Sequence, residues 1–464
     1  MAVEFWELDH PGKMTAVVSD SGRHLTYGEL REGTDQFSDC LGLRGERTLG
    51  FLLCDNSPEC LMTYLGALRS GQAICLLEEG IPDELFLRLI ETYLPDWVFS
   101  TERTNIPGFR AYNVPNGLLY RRDKVRPKSS IAPELAVLLT TSGSTGSAKL
   151  VRLSLGNLQA NAKSISHYLG ITPADRALTT LPMSYSYGLS VVNTHLLAGS
   201  TLLMTRRSLV QKDYWDFIAQ QHPTSLAGVP YHYEIMLRLR VLEKALPGLR
   251  TLTQAGGRLE PQRISQVERI SARRGWKFFV MYGQTEATAR IAYVPWERLS
   301  EKIGAVGLAI PDGTLSIDGA TGELLYSGPN VMLGYAQNRD DLAKGDELGG
   351  HLRTGDLARK DEDGYHYIIG RLKRILKVHG KRVSLDEVES LIGRHGGGAA
   401  ACFGDDDNVR IAIEASEGEQ IAADVIRDLL KIHPSAFHIF RVPSIPRLPN
   451  FKIDYQSLTR LESP

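Results

Sequence analysis

Residues 135–149 read LAVLLTTSGSTGSAK, an apolar run followed by a segment of hydroxyls and glycines that ends in a single lysine. The apolar run 135–139 predicts a buried strand. Glycines let backbone N–H groups approach an anion, hydroxyls add donors, and Lys149 adds a mobile positive charge, so residues 140–149 are typical of a polyphosphate-binding loop. Leu150 follows Lys149, so the spacing is not G-x-x-x-x-G-K-[ST]. A flexible surface linker is the alternative, but the loop directly follows a core strand.

Short apolar runs alternate with amphipathic stretches on both sides of this loop. Apolar runs occur at 49–54, 73–77, 97–100, 177–182, 201–205, 225–229, 251–254 and 277–281. This alternation predicts an α/β fold, with largely buried sheets covered by helices. From about residue 301, Gly-rich turns between alternating residues predict hairpins and a small β-rich lobe. A capping-box pattern at Ser384 and Glu387 predicts a helix in a second domain that follows Arg371.

Composition excludes several classes of protein. The chain has 464 residues, of which 42% are hydrophobic and 23% charged, and its net charge is −1, which indicates an ordinary globular protein of more than one domain. The N-terminal residues lack the pattern of a secretory signal and no apolar run reaches membrane-spanning length, so we expect a cytoplasmic protein without a membrane partner. The five cysteines lack paired C-x-x-C spacing, which favours buried free thiols over disulfides or zinc.

Seven segments follow one another in a definite order along the chain. They are 140–149 (TTSGSTGSAK), 181–188 (LPMSYSYG), 254–259 (QAGGRL), 281–288 (MYGQTEAT), 322–335 (GELLYSGPNVMLGY), 352–389 (LRTGDLARKDEDGYHYIIGRLKRILKVHGKRVSLDEVE) and 445–454 (IPRLPNFKID). As an ordered set they resemble the adenylate-forming superfamily of acyl-CoA synthetases, luciferases and peptide-synthetase adenylation domains. The resemblance spans nearly the whole chain.

The resemblance implies binding of ATP with Mg²⁺. Lys149 and the loop before it would hold the β- and γ-phosphates, Thr285 would contact the α-phosphate, and Glu286 would bind Mg²⁺. A hard divalent cation seeks carboxylate and phosphate oxygens, which fits these roles. The loop residues concerned are Thr141, Ser142, Gly143, Ser144, Thr145 and Gly146.

The remaining nucleotide contacts implied by the resemblance concern adenine and ribose. Tyr282 would offer an aromatic face beside adenine, and Gly256 and Gly257 would let the backbone pass close to the base. Asp356 would bind the ribose hydroxyls, and Arg371 would touch ribose or phosphate. Structural roles are the alternatives: Asp356 could stabilise the TGD turn, and Tyr282 could be a core residue.

The catalytic residues that the resemblance implies are Lys452, Lys377 and Lys149. Lys452 would bridge the carboxylate and the α-phosphate as an acyl adenylate forms and pyrophosphate leaves. A small C-terminal domain would then rotate about a hinge at Lys373 and bring Lys377 to the site for acyl transfer. We therefore expect a large N-terminal domain over residues 1–370 and a mobile α+β domain over residues 371–464.

The acid pocket would lie beside the α-phosphate. The resemblance places it around Tyr185, Ser186, Tyr187, Gly228, Val229 and Gln254. No aspartate stands in SYSYG to pair with an α-ammonium group, so an acid without an α-amino group is favoured. Packed core aromatics remain the alternative for the tyrosines. The expected activity is an ATP-dependent acid:thiol ligase, with CoA or a carrier protein's phosphopantetheine as acceptor.

Other interpretations stay open at this point. An amino-acid-activating or amide-forming ligase would share the same first step. Leu150, Ala148 and Phe451 depart from the family's usual glycine, proline and glycine, which leaves open a nucleotide-binding protein with reduced turnover. Six of the twelve residues in 371–382 are Lys or Arg, yet the near-neutral chain and the lack of aromatic residues there argue against nucleic acid.

Overall fold

The computed structural model describes residues 3–41, 47–103, 105–114, 117–123, 130–140, 149–244, 246–379, 381–415, 417–431, 433–448 and 453–461. By their internal contacts they form two compact units. The N-terminal unit contains the residues up to Thr314 together with Ser327–Leu352, and the C-terminal unit contains Leu315–Tyr326 together with the residues from Arg353 onward. The predicted boundary at residue 370 and the hinge at Lys373 stay predictions.

Strands and helices alternate closely along the N-terminal unit. The strands and helices given next are those of the described residues in both units. The strands are β1 (Thr15–Ser19), β2 (His24–Thr26), β3 (Leu49–Cys54), β4 (Ala73–Glu78), β5 (Trp97–Ser100), β6 (Phe109–Val114), β7 (Gly117–Arg122), β8 (Leu135–Thr140), β9 (Leu150–Ser154), β10 (Arg176–Leu178), β11 (Thr201–Met204), β12 (Ser225–Gly228), β13 (Thr251–Gln254), β14 (Lys277–Tyr282), β15 (Ala292–Val294), β16 (Leu308–Ala309), β17 (Thr314–Ile317), β18 (Glu323–Ser327), β19 (Gly334–Ala336), β20 (His351–Lys360), β21 (His366–Arg371), β22 (Ile375–Val378), β23 (Lys381–Ser384), β24 (Ala400–Asp405), β25 (Asn408–Ile413) and β26 (Phe437–Arg441). The helices are α1 (Tyr27–Leu41), α2 (Pro58–Arg69), α3 (Asp83–Tyr93), α4 (Leu155–Leu169), α5 (Ser186–Leu197), α6 (Lys212–Gln221), α7 (Pro230–Arg238), α8 (Pro261–Arg274), α9 (Leu385–Arg394), α10 (Gly418–Asp424) and α11 (Tyr455–Leu461). A π-helical turn, Val425–Leu429, follows α10, and single 3₁₀ turns include Thr285–Ala287.

Two large sheets build the N-terminal unit. The nine-stranded sheet has the order β16-β15-β14-β13-β12-β10-β11-β1-β2, and its six strands from β14 to β1 are parallel. The eight-stranded sheet has the order β19-β9-β8-β4-β3-β5-β7-β6, with β8, β4, β3 and β5 parallel. Parallel strands need helical crossovers, which explains the alternation seen in the sequence. The predicted α/β architecture is confirmed.

Helices α1, α2, α4 and α5 join the two sheets into one core. Helices α1 and α5 contact β1 and β11 of the nine-stranded sheet, whereas α2 and α4 contact β3, β4 and β9 of the other. A single apolar cluster runs through them and includes fully buried Tyr64, Leu76 and Leu202. The site described below lies at the carboxyl ends of the parallel strands, where α/β sheets expose their loops.

Local signals in the sequence set where these helices begin. Ser57 accepts a hydrogen bond from the backbone N–H of Cys60 at the start of α2, with Pro58 as the first helical residue. Ser154 and Asn157 form a reciprocal capping box at the start of α4, with distances of 3.0 and 2.9 Å. The capping box therefore fixes the residue at which α4 begins, and α5 packs against this helix.

The C-terminal unit is smaller and more β-rich. It holds most of a four-stranded sheet of order β17-β18-β20-β21, the β22-β23 hairpin and a three-stranded sheet of order β24-β25-β26. The core around α9 includes Val388, Ile392 and Ile411, all fully buried. Ser384 accepts from the N–H of Glu387 at 3.4 Å, so the predicted cap begins α9.

Two predictions from composition can be compared with this fold. Among the described helices, none combines the length and the apolar character that crossing a lipid bilayer requires. All five cysteines are free; Cys54, Cys60, Cys75 and Cys402 are buried, and Cys40 is partly exposed. The prediction of free thiols is confirmed.

Candidate active site

The predicted phosphate loop joins the end of β8 to the start of β9. These strands are antiparallel neighbours, and Thr140 pairs with Leu150, so the two ends of the loop lie side by side. Leu150 is fully buried and pairs with Ala336 of β19. The leucine that stands here in place of the family's usual glycine therefore packs in the hydrophobic core. The roles of several loop residues stay predictions because these residues lie outside the described ones: Thr141, Ser142, Gly143, Ser144, Thr145, Gly146 and Ala148.

Tyr335 brings the loop's lysine and the predicted magnesium ligand together. The Nζ of Lys149 lies 3.2 Å from the centroid of the Tyr335 ring, a cation–π contact. The Tyr335 hydroxyl donates a hydrogen bond of 2.9 Å to Oε1 of Glu286. Burial, and then the neighbouring Glu286 carboxylate, raise the pKa of Tyr335, so the hydroxyl keeps its proton and remains a donor. Two residues 137 positions apart in the sequence thus meet on one aromatic side chain.

Glu286 has the chemistry that a magnesium ion bound together with ATP would need. Its backbone is fixed by a hydrogen bond of 2.9 Å from the N–H of Met332. Its second carboxylate oxygen, Oε2, accepts no hydrogen bond from the described residues. No cluster of three or more His, Cys, Asp or Glu side chains occurs in the described part of the chain. One carboxylate beside a phosphate-binding loop suits Mg²⁺, which takes most of its other ligands from phosphate and water.

The loop after β14 carries Thr285 and Glu286 in a constrained conformation. A Cβ on Gly283 would lie 1.9 Å from the carbonyl oxygen of Ala289, so only glycine fits there. Thr288 has φ of 63°, a positive value that is rare for a β-branched residue, and its hydroxyl donates to the Asn330 carbonyl at 2.7 Å. The loop is therefore folded tightly over the chain that returns as β15.

Thr285 and the proposed acid pocket are in direct contact. Oγ of Ser186, the first residue of α5, lies 3.3 Å from Oγ1 of Thr285. Both residues are buried, at 7% and 9% exposure. The predicted α-phosphate contact and the predicted substrate pocket thus lie within one hydrogen bond of each other.

The loop after β13 presents backbone to the same region. Nε2 of Gln254 donates to the Gly257 carbonyl at 2.9 Å and so ties the loop together. Gly256 has φ of +81°, and a Cβ there would lie 2.5 Å from the Tyr185 hydroxyl and 3.0 Å from Cγ1 of Val229. The positive φ and the close approach together explain why glycine occupies position 256. Tyr185, Val229 and Gly256 form one wall.

Three other predicted residues lie nearby. Tyr187 is 2% exposed, and its hydroxyl contacts Oγ1 of Thr253 at 2.8 Å. Gly228 ends β12, where a Cβ would meet the Tyr233 ring at 3.0 Å. Tyr282 ends β14 and is partly exposed. The residues predicted to form the acid pocket and to contact adenine therefore lie at the adjacent carboxyl ends of the neighbouring strands β12, β13 and β14.

Asp356 and Arg371 belong to the C-terminal unit and are paired with each other. They face one another in the β20–β21 ladder, and Nε of Arg371 lies 3.0 Å from Oδ1 of Asp356. The Asp356 side chain is 9% exposed and that of Arg371 is 60% exposed. Residues 354–356 lie inside β20, so the alternative that Asp356 stabilises a TGD turn is wrong. The Thr354 hydroxyl donates to the Leu324 carbonyl at 2.7 Å, and the ribose-binding role of Asp356 stays a prediction.

The predicted hinge and second-step lysines are solvated. Lys373 and Lys377 are both exposed, whereas Lys452 lies outside the described residues, so its role stays a prediction. Arg374, in the same basic stretch, is different: its guanidinium pairs with Asp386 and Glu389, each at 2.6 Å. The basic stretch 371–382 is therefore partly neutralised within its own unit, which weakens the nucleic-acid interpretation.

Two residues with a place in this region were not predicted from the sequence. Tyr335 is the last residue of the quoted segment 322–335, and only the fold shows that it joins Lys149 to Glu286. Arg290 follows the 281–288 segment and is 2% exposed, with its guanidinium carbon 3.8 Å from the centroid of the Tyr187 ring. Arg290 is the only charged residue in the stretch 287–290 (ATAR), and neither a periodic pattern nor a motif around it predicts that it is buried.

The arrangement is that of a nucleotide-handling α/β enzyme, and comparison with known proteins gives its family. Residues 5–336 match the model of the AMP-binding enzyme family, and the chain belongs to this family. The predicted superfamily and enzyme class are thus confirmed at the level of the family.

The relatives include both free-standing ligases and multidomain synthetases. Indoleacetate–CoA ligase of Aromatoleum aromaticum is 29% identical over 417 residues, which is 82% of this chain and 80% of the relative. Tyrocidine synthase 2 of Brevibacillus parabrevis is 28% identical over 490 residues, 96% of this chain but only 13% of that protein.

Solved structures agree on the fold. The o-succinylbenzoate CoA synthetase of Bacillus subtilis, in complex with its acyl-adenylate intermediate, superimposes with a TM-score of 0.77 at 21% identity, over 98% of both chains. The same enzyme with ATP and magnesium gives 0.76 at 20% identity, over 98% of this chain and 99% of that one.

Proposed function

We propose that this protein is an AMP-forming acid:CoA ligase. A carboxylate attacks the α-phosphorus of ATP, pyrophosphate leaves, and the acyl adenylate then passes its acyl group to the thiol of CoA with release of AMP. One observation carries the proposal: Lys149 and Glu286, the predicted phosphate and magnesium residues, meet on Tyr335 at the carboxyl ends of the strands.

Electrostatics explains why such a cluster suits the first step. The reacting carboxylate and the triphosphate are both anions, so their approach requires positive charge placed in advance. Lys149 supplies one such charge, and Mg²⁺ held by Glu286 would supply a second. Lys452 would complete the set at the carboxylate and the α-phosphate.

The binding roles follow the geometry of the N-terminal unit. Thr285 would hydrogen-bond the α-phosphate beside Ser186, and adenine would lie between Tyr282 and the backbone at Gly256 and Gly257. In the C-terminal unit, Asp356 would accept from the ribose hydroxyls, and Arg371 would change partner from Asp356 to ribose or phosphate. Each role is a proposal for this chain.

CoA is the preferred acceptor in this proposal, and an acid without an α-amino group is the preferred substrate. The relative that this chain matches over 80% of its length is a free-standing CoA ligase, whereas the synthetase match covers only 13% of that protein. The described residues proposed for the acid pocket include no carboxylate that could pair with an ammonium group: Tyr185, Ser186, Tyr187, Gly228, Val229 and Gln254.

ATP–pyrophosphate exchange with a panel of carboxylic acids tests the proposal. We expect exchange that depends on the acid and on Mg²⁺, and formation of a thioester when CoA is added. Parallel reactions with phosphopantetheinyl carrier protein, amino acids and hydroxylamine separate CoA from the other acceptors. ATP binding without exchange for any acid would instead support a nucleotide-binding protein with reduced turnover.

A further inference from the structure

A cavity of about 170 Å³ lies beside the proposed acid pocket, within the N-terminal unit. It runs along strands β12 and β13 under helices α4 and α5, from Ser225 and Thr251 at the beginnings of the strands toward Thr253. Its walls are mixed, because Ile165 and Val191 are apolar whereas Thr194 and His195 are polar. Tyr187 and Arg290 both line it.

Arg290 is a buried cation without a carboxylate partner among the described residues. Its Nε donates to Sδ of Met281 at 3.5 Å, a weak acceptor, and its guanidinium faces the Tyr187 ring. Its charge also interacts with the hydroxyls of Tyr168, Tyr185 and Tyr187, and the guanidinium hydrogen-bonds those of Tyr168 and Tyr187. Burial raises the pKa of all three hydroxyls, so each stays neutral and none supplies a negative charge.

Arg152 gives a direct comparison within the same chain. It is also fully buried, and it pairs with the Glu347 carboxylate and donates to the Tyr335 and Leu333 carbonyls at 3.2 Å each. Arg152 and Arg290 are the two arginines under one tenth exposed in the described part of the chain. Only Arg290 borders a cavity and has no described carboxylate partner.

The cation–π contact with Tyr187 does not offset the free-energy cost of burying the Arg290 charge. A desolvated cation–π contact contributes about 2 kcal/mol, whereas burying an ion costs several kcal/mol. A full guanidinium has five N–H donors, and an anion in the cavity would satisfy those that face it.

The position of Arg290 connects the cavity to the reacting centre. A Cβ on Gly283 would also lie 2.8 Å from the Cα of Arg290, so the loop that carries Thr285 packs on the Arg290 backbone. Ser186, which contacts Thr285, is the chain neighbour of Tyr187, on which the guanidinium lies. The neighbours Ser186 and Tyr187 therefore link the Thr285 contact to the Arg290 guanidinium; Tyr187 and Arg290 line the cavity, and Ser186 and Thr285 are not among its described lining residues.

We propose that Arg290 selects acids that carry a second anionic group, of which dicarboxylic acids are the simplest class. This inference rests on the proposed function and names its substrate class. One carboxylate would be activated at Thr285, and the other would form a bidentate pair with the Arg290 guanidinium across a short spacer.

The test is pyrophosphate exchange with dicarboxylic acids from three to eight carbons, their monomethyl half-esters and monocarboxylic acids of the same length. We expect kcat/KM of the wild type to favour the best diacid over its half-ester by at least about tenfold. Arg290→Met should lower the diacid value on the order of 10²-fold and remove the preference, because a buried charge pair loses one partner. Arg290→Lys should keep part of the preference. The control variant Arg269→Met, which replaces an exposed arginine of α8, should keep all of it.

A binding measurement makes the result independent of turnover. The best diacid alone should raise the melting temperature of the wild type and of Arg269→Met, and should not raise that of Arg290→Met. If Arg290→Met does not fold, the wild-type preference and Arg290→Lys decide. Equal use of diacids and half-esters by the wild type would overturn the inference while leaving the proposed ligase intact. No exchange with any acid would refute the ligase itself.

Discussion

The predicted pocket residues of the N-terminal unit and the described predicted lysines of the C-terminal unit differ in their exposure to solvent. In the N-terminal unit, Gln254, Ser186 and Thr285 are each under one tenth exposed and are hydrogen-bonded at the ends of strands or helices. In the C-terminal unit, Lys373 and Lys377 are exposed to solvent on and beside the β22–β23 hairpin.

This difference separates a preorganised site from a set of solvated charges. Buried, hydrogen-bonded groups have already lost their conformational freedom, so they can act without reorganising. An exposed lysine contributes little until a ligand removes water from around it. The N-terminal unit should therefore set binding, and the C-terminal lysines should set the rates of separate steps.

The strongest test of this division is Lys452→Ala. We expect ATP–pyrophosphate exchange to fall on the order of 10²-fold or more, because a cation would be missing where charge develops. Binding of ATP, measured by calorimetry, should change much less. Lys431→Ala, which removes an exposed lysine of the same unit, is the control and should exchange normally. A loss of ATP affinity as large as the loss of exchange would remove the distinction between binding and rate.

Lys377→Ala should give a complementary result. Exchange should remain within about twofold of the wild type, whereas thioester formation should slow by about 10- to 100-fold, the value of one charged hydrogen bond. Single-turnover acyl transfer from the preformed adenylate to CoA measures the second step alone. Equal damage to exchange and transfer would contradict a C-terminal unit that works in two conformations.

Tyr335→Phe tests the preorganised cluster of the N-terminal unit. This change removes the hydrogen bond to Glu286 but keeps the ring under Lys149, so the KM for MgATP should rise by about tenfold. Tyr335→Leu removes the ring as well and should raise it further. If the two variants behave alike, the cation–π contact contributes nothing. If neither changes the KM, Tyr335 only fills space.

Acid should destabilise the N-terminal unit through His232. This side chain is 3% exposed, and burial lowers its pKa from 6.5 to about 4. Between pH 6.5 and 4 the unfolded chain binds the proton and the folded chain does not, so stability falls as pH falls, by about 2 kcal/mol at pH 5.

Urea unfolding at pH 7 and pH 5 measures this loss. All five tryptophans lie in the N-terminal unit, so their fluorescence reports on that unit. His232→Gln should reduce the difference in stability between the two pH values, whatever its effect at pH 7. An unchanged difference would assign the acid sensitivity to other groups.

The fold was predictable because its signals are local. Apolar runs of four to six residues became parallel strands with nearly the predicted bounds, as in β3, β5 and β13. The order of the strands was not predictable: β10 lies between β11 and β12, an outcome of crossover packing that no local pattern encodes.

The site was predictable where residues stand in motifs. Gly256 and Thr285 follow the ends of the neighbouring strands β13 and β14, so the ordered segments do come to adjacent strand ends, while the roles of these residues stay predictions. Tyr335 and Arg290 could not be assigned their contacts in advance, because these depend on elements far apart in sequence. Arg290 in particular acquires its significance from a cavity lined by residues of six helices and strands that lie far apart in the sequence.

The distribution of thiols has a practical consequence. Cys54, Cys60 and Cys75 are buried in the N-terminal unit and Cys402 in the C-terminal unit, while Cys40 is partly exposed. A thiol-reactive label would modify Cys40 first, and each buried cysteine only when its own unit opened. Mass-resolved labelling kinetics could therefore time the opening of each unit separately, without introducing any foreign probe site.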